Sequence, residues 1–374
     1  MSLFLNHRQT LALICAVGHK RTVIVEGENG IGKTQLWKDM HKVEKLQKHI
    51  FVPPFNCTQM SDGSIWMPDI DRETGVSREL PNERFGVSKA NQRGVKGAKP
   101  TVVMFDECFK AAQFVKNMIA EPLYERRVGG YHFVDGSITF GATNLSLEGL
   151  GDSVQPHLRS RIILVRMRKP TAQEWVEEFA IPNQLSAEVI AFVHMFPQVM
   201  DSFVDYLPGG KFAGKPQEKE NPFIFNPKLH QDGFANPRSL HAASDLLLEQ
   251  DNFDNETLVA SLAGVVGEPT AREMSAYVKF GQEICAYEDV IKNPAKAPMS
   301  KNPTAQIVQT FQFLTRCNGR EEAAAITEYV MRMKNEMQSL FCNSVANSSK
   351  ISEFVTVKIF GELMKDNKVF FATR

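Results

Sequence analysis

The stretch Gly27-Glu28-Asn29-Gly30-Ile31-Gly32-Lys33-Thr34 has the pattern G-x-x-x-x-G-K-[ST] of a phosphate-binding loop. The β-branched run Thr22-Val23-Ile24-Val25 precedes it and predicts a buried strand. After the loop, apolar residues recur at the spacing of one helix face, at Leu36, Met40, Val43 and Leu46. A strand, a glycine-rich loop and a helix in this order predict a nucleotide site, because loop N–H groups and the positive helix end would face the phosphates.

Two side chains of this loop carry the expected chemistry. We expect Lys33 to reach the β- and γ-phosphates of ATP and the Thr34 hydroxyl to bind Mg²⁺. The other residues of the loop and Gln35, the next residue of the helix, complete the predicted nucleotide-binding set. The alternative is a chance glycine-rich turn, and the flanking strand and helix argue against it.

An acidic pair, Asp106-Glu107, directly follows the buried-strand run Thr101-Val102-Val103-Met104-Phe105. Open α/β sheets bind ligands at the carboxyl ends of their strands, so the pair should lie beside the phosphate loop. Mg²⁺ takes one or two carboxylates besides phosphate oxygens, which assigns Asp106 to the metal. Glu107 is then the predicted general base that polarises the attacking water. The alternative is a strand that ends in two solvated acids.

Two asparagines end neighbouring strands of the predicted sheet. Asn144 follows the run Ser137 to Thr143 and could orient the lytic water near the γ-phosphate. Asn56 follows the second predicted strand, residues 50–52, and could restrain Glu107 through a hydrogen bond. Asparagine is also a common turn residue, and for Asn56 this alternative is equally well supported.

Several arginines could neutralise charge in a phosphoryl-transfer site. Arg161, just before the last strand of the α/β region, is the first candidate for an arginine supplied by a neighbouring molecule, and Arg159 is the second. Arg238 follows Asn236-Pro237 in the first turn of a predicted helix and could report the nucleotide state. Arg126-Arg127 could be a further contact between molecules or a solvated helix end.

The order of patterns predicts an α/β parallel-sheet ATPase domain over residues 1–169, followed by helices. Residues 170–250 should form a helical lid with a long Pro/Gly-rich loop, and residues 251–374 an all-α extension. The best linker candidate is Lys292 to Pro303, which holds three prolines. The predicted helices are 1–20, 33–48, 110–125, 186–200, 237–250, 255–266, 270–292, 303–316, 320–342 and 350–365.

The composition is that of a globular protein of 374 residues, with 43 Lys and Arg against 43 Asp and Glu. This balance gives no overall attraction to nucleic acid or anionic membrane, although residues 84–99 hold five basic and no acidic side chains. The six cysteines and nine histidines show no metal-ligand spacing, so we expect reduced thiols.

No apolar run approaches the length of a membrane helix. The segment Thr10 to Val17 resembles a secretion signal, but cleavage there would remove the helix that precedes the phosphate-loop strand. We therefore expect a helix packed on the sheet, no membrane partner and a cytoplasmic protein.

Together these motifs resemble AAA+ ATPases, and among them the MoxR-like branch near the dynein-related group. The matching positions, in family order, are Gly27–Thr34, Phe105-Asp106-Glu107, Glu125-Arg126, Ala142-Thr143-Asn144, Leu158–Arg161 and Asn236-Pro237-Arg238. The resemblance covers about residues 1–250. It departs from the branch at Ile162, where Phe is usual after the arginine, and at Cys108-Phe109, where Ile/Val-Asn is frequent.

The resemblance implies a homo-oligomeric ring, usually a hexamer, with Arg161 as arginine finger, Asn144 as sensor 1 and Arg238 as sensor 2. It also implies insertions near residues 60–95 and 128–136 that face the pore or a partner. Members of the branch commonly remodel proteins, often with a von Willebrand factor A domain partner.

Our leading interpretation is an ATP-driven remodeller of a protein. A nucleic-acid motor or loader is an alternative because of the basic segment 84–99, although the balanced charge and the lack of a recognisable DNA-binding module argue against it. A nucleotide-gated scaffold with slow turnover is the other alternative.

Overall fold

The computed structural model describes residues 3–61, 63–145, 160–206, 210, 221–227 and 229–367. The chain divides into two compact units, residues 1–169 and 170–374. The predicted class, a parallel α/β sheet followed by an all-helical region, is confirmed. Among the described residues, no helix combines the length and the apolar character that crossing a bilayer requires.

Within its described residues, the first unit is built on a seven-stranded parallel sheet. The strands are β1 (Phe4–Leu5), β2 (Thr22–Gly27), β3 (Ile50–Phe51), β4 (Phe55–Asn56), β7 (Thr101–Asp106), β10 (Ile138–Asn144) and β11 (Ile162–Met167). They lie in the spatial order β1-β11-β2-β10-β7-β3, and β4 also pairs with β7. The phosphate loop begins at the last residue of β2, a central strand, and the acidic pair begins at the last residue of β7, two strands away.

Two antiparallel hairpins stand apart from this sheet. The first pairs β5 (Trp66–Asp71) with β6 (Val76–Pro81), and the second pairs β8 (Arg127–Val128) with β9 (Tyr131–His132). The first lies inside the expected insertion 60–95, and the second begins one residue before the expected insertion 128–136.

The helices of the first unit cover both faces of the sheet. On one face, α1 (His7–Val17) and α2 (Lys33–Met40) bury residues such as Ile14 and Leu36 against β2 and β10. On the other face, α3 (Gln113–Ala120) buries Val115 and Ile119. Sequence signals set the ends of α1, because Asn6 and Gln9 form a capping box and Gly18 follows the last turn.

Aromatic packing joins the edge of the sheet to the segment that follows the first hairpin. Phe85 is fully buried and stacks on Phe55 of β4, with ring centroids 4.5 Å apart. Phe105 of β7 lies 5.6 Å from Phe55, and Phe133 lies 6.4 Å from Phe85. Burial of four such rings makes this stack a principal contribution to the core on this face.

All three predicted helices of this unit are shorter than expected. The helix predicted over residues 1–20 spans only His7–Val17, because Phe4–Leu5 pairs with β11 as the edge strand β1. The α-helix predicted over residues 33–48 ends at Met40, and Leu46 reaches the same core from a separate 3₁₀ turn, Glu44–Leu46. The predicted helix 110–125 begins only at Gln113. Pro122 lies in a π-helical turn, Glu121–Glu125, where its missing N–H is tolerated.

Within its described residues, the second unit is entirely helical. Its helices are α4 (Ala172–Trp175), α5 (Ala187–Met195), α6 (Pro237–Leu248), α7 (Asn255–Val266), α8 (Glu268–Gly281), α9 (Tyr287–Lys292), α10 (Pro303–Arg316), α11 (Arg320–Val330), α12 (Asn335–Ala346), α13 (Ile351–Phe354) and α14 (Lys358–Asp366). A π-helical turn, Val176–Ala180, extends α4. Thr171 and Glu174 form a capping box at the start of α4.

One hydrophobic core runs through this unit, from Trp175 to Leu363. Leu240 of α6 and Leu258 of α7 belong to it, so the core crosses the boundary expected after residue 250. The candidate linker, residues 292–303, contributes the buried Ala297 to the same core.

Three of the long helices predicted for this unit are wrong: each predicted span contains two shorter helices. Residues 270–292, 320–342 and 350–365 are interrupted after Gly281, Val330 and Phe354. The first interruption is stabilised from a distance. Gln309 of α10 accepts a hydrogen bond from the Cys285 backbone N–H at 2.9 Å and donates one to its carbonyl at 3.2 Å. A buried side chain from another helix thus replaces the helical hydrogen bonds.

Candidate nucleotide-binding and active site

Glycines shape the loop between β2 and α2. Gly30 and Gly32 have φ angles of 74° and 97°, in the left-handed region that favours glycine. At Gly27 a Cβ would lie 2.9 Å from the carbonyl oxygen of Met167 on β11, so the neighbouring strand also requires a glycine there. The loop therefore leads directly into the N-terminus of α2, where unpaired N–H groups favour an anion.

Lys33 is buried inside this loop. Its side chain is 7 % exposed, and its ammonium group donates to the carbonyl oxygens of Gly27 at 2.8 Å and Glu28 at 2.7 Å. It also donates to Oδ1 of Asn144 at 2.8 Å. Oxygen atoms thus surround the ammonium group, and phosphate oxygens are ligands of the same kind.

Thr34 and Asp106 meet although 72 positions separate them in the chain. The Thr34 hydroxyl donates to Oδ2 of Asp106 at 2.8 Å. A hydroxyl and a carboxylate facing each other beside a phosphate loop fit Mg²⁺, which also takes phosphate oxygens and water. The described residues hold no cluster of three or more His, Cys, Asp or Glu side chains that could bind a metal alone. The fit to Mg²⁺ thus depends on bound phosphate.

Glu107 adopts an unusual backbone conformation, with a φ angle of 57°. Its N–H donates to Oδ1 of Asp106 at 3.0 Å, and its carbonyl accepts from the N–H of Lys110 at 3.0 Å. This tight turn occupies the residues expected to begin a helix at 110. A non-glycine residue in the left-handed region costs about 1 kcal/mol, a strain that is found mostly at functional positions.

Lys110 is a part of the site that the sequence reasoning missed. Its ammonium nitrogen lies 2.7 Å from Oε2 of Glu107, and both side chains are largely buried. An acid followed three positions later by a lysine was the available signal, but it is informative only once the turn is known. The ion pair holds the carboxylate at a defined position.

Two buried thiols lie behind the acidic pair. Burial, followed by the negative charges of Asp106 and Glu107, raises the pKa of Cys57 to about 12. Burial also raises the pKa of Cys108, and Cys57 and Asp106 add to the effect. Both residues therefore remain neutral thiols, and neither is a nucleophile for this site.

Asn144 lies where the prediction placed it, level with Gly27 in the register of β10 and β2. Its side chain is 3 % exposed, and its contact with Lys33 brings it into the pocket. Asn56 is level with Asp106 in the register of β4 and β7. Its Oδ1 accepts hydrogen bonds from the backbone N–H and the hydroxyl of Thr58, which is the turn role.

Arg161 lies at the opposite edge of the sheet. The pairing of β11 with β2 sets Ile162 level with Thr22, five residues before Gly27. At about 3.3 Å per residue, the start of β2 is roughly 16 Å from the phosphate loop. The exposed Arg161 therefore cannot reach the phosphate loop of its own chain. Arg159 lies outside the described residues.

The remaining predicted residues lie in three different settings. Gln35 donates from Nε2 to Oδ1 of Asp39 at 3.3 Å, along its own helix. Arg126 donates to the carbonyl of Gly18 at 2.9 Å, at the C-terminal end of α1. Arg238 belongs to the second unit, where it is exposed in the first turn of α6.

No model of a protein family matches the chain, and no curated protein matches it. Some solved structures resemble it distantly. NtrX from Brucella abortus in complex with ADP is 14 % identical, with 97 % of this chain and 67 % of that chain covered and a TM-score of 0.38. A point mutant of RuvB from Thermotoga maritima is 14 % identical, with 78 % of each chain covered and a TM-score of 0.37. Likenesses this distant carry no argument about the activity of this chain.

Proposed function

We propose that this chain is an ATPase that binds Mg-ATP between its phosphate loop and the acidic pair and transfers the γ-phosphoryl group to water. The observation that carries the proposal is the convergence of Lys33, Thr34, Asp106 and Asn144, which come from three different strand ends. A chance glycine-rich turn would not gather these side chains at one edge of a parallel sheet.

Each side chain has a separate role in the proposed reaction. Lys33 and the loop N–H groups bind the phosphates, and Asn144 contacts both Lys33 and the lytic water. Thr34 and Asp106 would hold Mg²⁺, and the ion would supply positive charge beside the phosphate oxygens. Glu107 accepts a proton from the attacking water, and Lys110 fixes the resting position of its carboxylate.

Within its own chain Arg161 cannot complete the site, because it lies at the other end of the sheet strands. We propose that Arg161 of a second copy does so, in a head-to-tail assembly of the AAA+ type. Such a heterologous contact closes into a ring when the rotation between copies allows it. The position of Arg161, far from its own phosphate loop, supports this arrangement. Arg159 remains the second candidate, and Arg238 remains the proposed reporter of nucleotide state.

The work that ATP drives is proposed to be the remodelling of a protein, as in the MoxR-like branch. The hairpin of β5 and β6 supports this, because Met67, Leu80 and Val76 share one face of it and are exposed, at 59 %, 37 % and 56 %. Exposed apolar side chains that are grouped on one face commonly mark a contact with another protein. A von Willebrand factor A domain protein is the proposed natural partner.

Two substitutions test the ATPase proposal. Lys33→Ala should abolish ATP binding, whereas Glu107→Gln should bind ATP normally and lose hydrolysis by about 10²–10⁴-fold, the usual contribution of a general base. Binding is measured with a fluorescent ATP analogue and hydrolysis by steady-state phosphate release. Matched controls are Lys38→Ala, an exposed lysine of the same helix, and Glu83→Gln.

The outcomes of these assays separate the alternatives. If Lys33→Ala binds ATP like the parent, the pocket is misplaced, and if Glu107→Gln hydrolyses normally, Glu107 is not the base. A parent protein that binds ATP tightly but turns over only slowly, with or without partner, would support the nucleotide-gated scaffold instead.

Remodelling needs its own test, for which a permanently unfolded protein such as casein is the probe. We expect casein to stimulate the ATPase, and Met67→Asp with Val76→Asp to remove the stimulation but not the basal rate. Absence of stimulation in the parent would count against remodelling of unfolded chains and leave the ATPase proposal intact. Negative-stain images with and without ATP test for rings.

A further inference from the structure

The basic loop, residues 86–99, is a strongly charged surface segment of the first unit. It holds four basic side chains and no acidic one, and all four are exposed, namely Lys89, Arg93, Lys96 and Lys99. The unit around it is also basic, with 24 Lys and Arg against 17 Asp and Glu in residues 1–169. The balanced charge of the whole chain therefore conceals a positive unit and a negative one.

The loop is held in a defined shape. Asn91 donates from its side-chain amide to the carbonyls of Gly86 at 2.6 Å and Lys99 at 3.2 Å, and its Oδ1 accepts from the N–H of Lys99 at 2.6 Å. One side chain thus closes the loop at its base. Gly94 and Gly97 turn the tip, with φ angles of 88° and 82°, and no atom lies within 4 Å of the place a Cβ would take. The backbone of the tip is therefore open to a ligand.

The lysines of this loop have no carboxylate partner. Arg93 forms an ion pair with Asp135 at 2.9 Å, so this carboxylate neutralises the arginine and none of the lysines. Among the described residues, Lys89, Lys96 and Lys99 form no ion pair. The first N–H of β3, that of Ile50, donates to the carbonyl of Pro100, which directly follows the loop. Lys48 is exposed two residues before Ile50, so a fourth ammonium group lies next to the loop. Four cations remain unneutralised on one edge.

This edge is distinct from the nucleotide pocket. The basic loop leads into β7 at Thr101, whereas the pocket lies at the other end of that strand, at Asp106. Five residues of strand separate the two, roughly 16 Å. A ligand of the basic loop would therefore not compete with ATP.

The chemistry of the loop favours a phosphodiester backbone. Lysine binds phosphate as a point charge. In the described part of the chain, the tip N–H groups of Gly94, Lys96 and Gly97 donate to no backbone acceptor, which leaves them for phosphate oxygens. Residues 86–99 contain no aromatic side chain on which a base could stack. We propose that the basic loop binds the phosphate backbone of nucleic acid without reading its sequence.

Fluorescence anisotropy with a labelled single-stranded DNA 20-mer tests this on the full chain without ATP. Affinity should fall as salt rises, with a slope of about 0.7 per phosphate contact on a log–log plot. Replacing Lys89, Lys96 and Lys99 by Gln should lower that slope by about 2. The parent should then lose about 18-fold more affinity than the variant between 50 and 200 mM salt.

A matched variant removes the same charge from the second unit, with Gln at the exposed Lys279, Lys292 and Lys296. It should bind DNA like the parent. Equal slopes and affinities for the parent and the loop variant would overturn the proposal. So would displacement of the DNA by polyglutamate at equal charge concentration, because the loop would then be a site for acidic protein. Lys33→Ala should keep DNA binding, so this test stands apart from that of the ATPase.

Discussion

The contribution of Arg161 to a neighbouring site can be tested by mixing two inactive variants. Arg161→Ala keeps its own Glu107 but offers no arginine, whereas Glu107→Gln offers the arginine but lacks the base. An interface between them, with the nucleotide on the first variant and the arginine from the second, contains every side chain of the parent site. Mixing should therefore restore activity that neither variant has alone.

The magnitude follows from the geometry. Arg161 directly precedes β11, whose first residue is level with Thr22. Its backbone is therefore more than roughly 16 Å from Gly27, and Arg161 cannot act on the nucleotide of its own chain. Loss of an arginine finger costs about 10³–10⁵ in kcat, so each variant alone should be nearly silent. In a random equimolar mixture, half of the sites have the base and half of their neighbours have the arginine. Activity should return to about one quarter of the parent value, whatever the number of copies in a closed ring.

Steady-state phosphate release at saturating ATP, after co-incubation long enough for subunit exchange, measures this recovery. The control mixture pairs Arg161→Ala with the double variant Glu107→Gln, Arg161→Ala, in which no subunit offers an arginine, and it should remain silent. A rate equal to the mean of the two separate variants would refute catalysis between copies. Substantial activity of Arg161→Ala alone would remove Arg161 from the site.

Three further predictions concern the pocket and its supporting core. Asn144→Ala should keep ATP binding within a few fold but slow hydrolysis by more than tenfold, and equal losses in both assays would mean that the residue only supports the loop. Phe85→Ala should destabilise the first unit by about 3–5 kcal/mol in urea titration, because it removes a fully buried ring. The control Phe114→Ala, on a half-exposed ring, should cost less than about 1 kcal/mol, and similar losses would contradict tight stacking. Burial would raise the pKa of Asp39, but hydrogen bonds led by that from His7 lower it to about 2. A depressed pKa stabilises the fold above the unfolded value near 4, so Asp39→Asn should cost up to about 2 kcal/mol at pH 6. That difference should shrink as the pH falls from 5 towards 2, and a difference independent of pH would exclude the carboxylate as its cause.

The sequence predicted which side chains lie together at this edge because the motifs are local and the sheet couples their positions. The phosphate loop needs particular residues within eight positions, and the strand before it fixes where it lies. Parallel strands bring their carboxyl ends to one edge of the sheet, and for this reason the sequence alone predicts Asp106 and Asn144 beside Lys33.

What the sequence could not predict depends on contacts between distant residues or on backbone shape. The division of residues 270–292 depends on Gln309 from another helix, and nothing near Gly281 announces it. The pairing of Lys110 with Glu107 requires a left-handed residue that local propensity disfavours. The hydrogen bonds by which Asn91 closes the basic loop join residues up to eight positions apart, and the sequence of this segment alone predicts only an irregular turn.

The left-handed conformation of Glu107 places the fold and the chemistry in opposition at one position. A glycine there would remove the steric strain, worth about 1 kcal/mol, and would also remove the only group assigned to accept the proton. Engineering that ranks substitutions by thermostability alone would therefore favour change at this residue and yield a more stable protein without the proposed hydrolysis. Screens of this protein should score turnover alongside melting temperature, since at position 107 the two are expected to diverge.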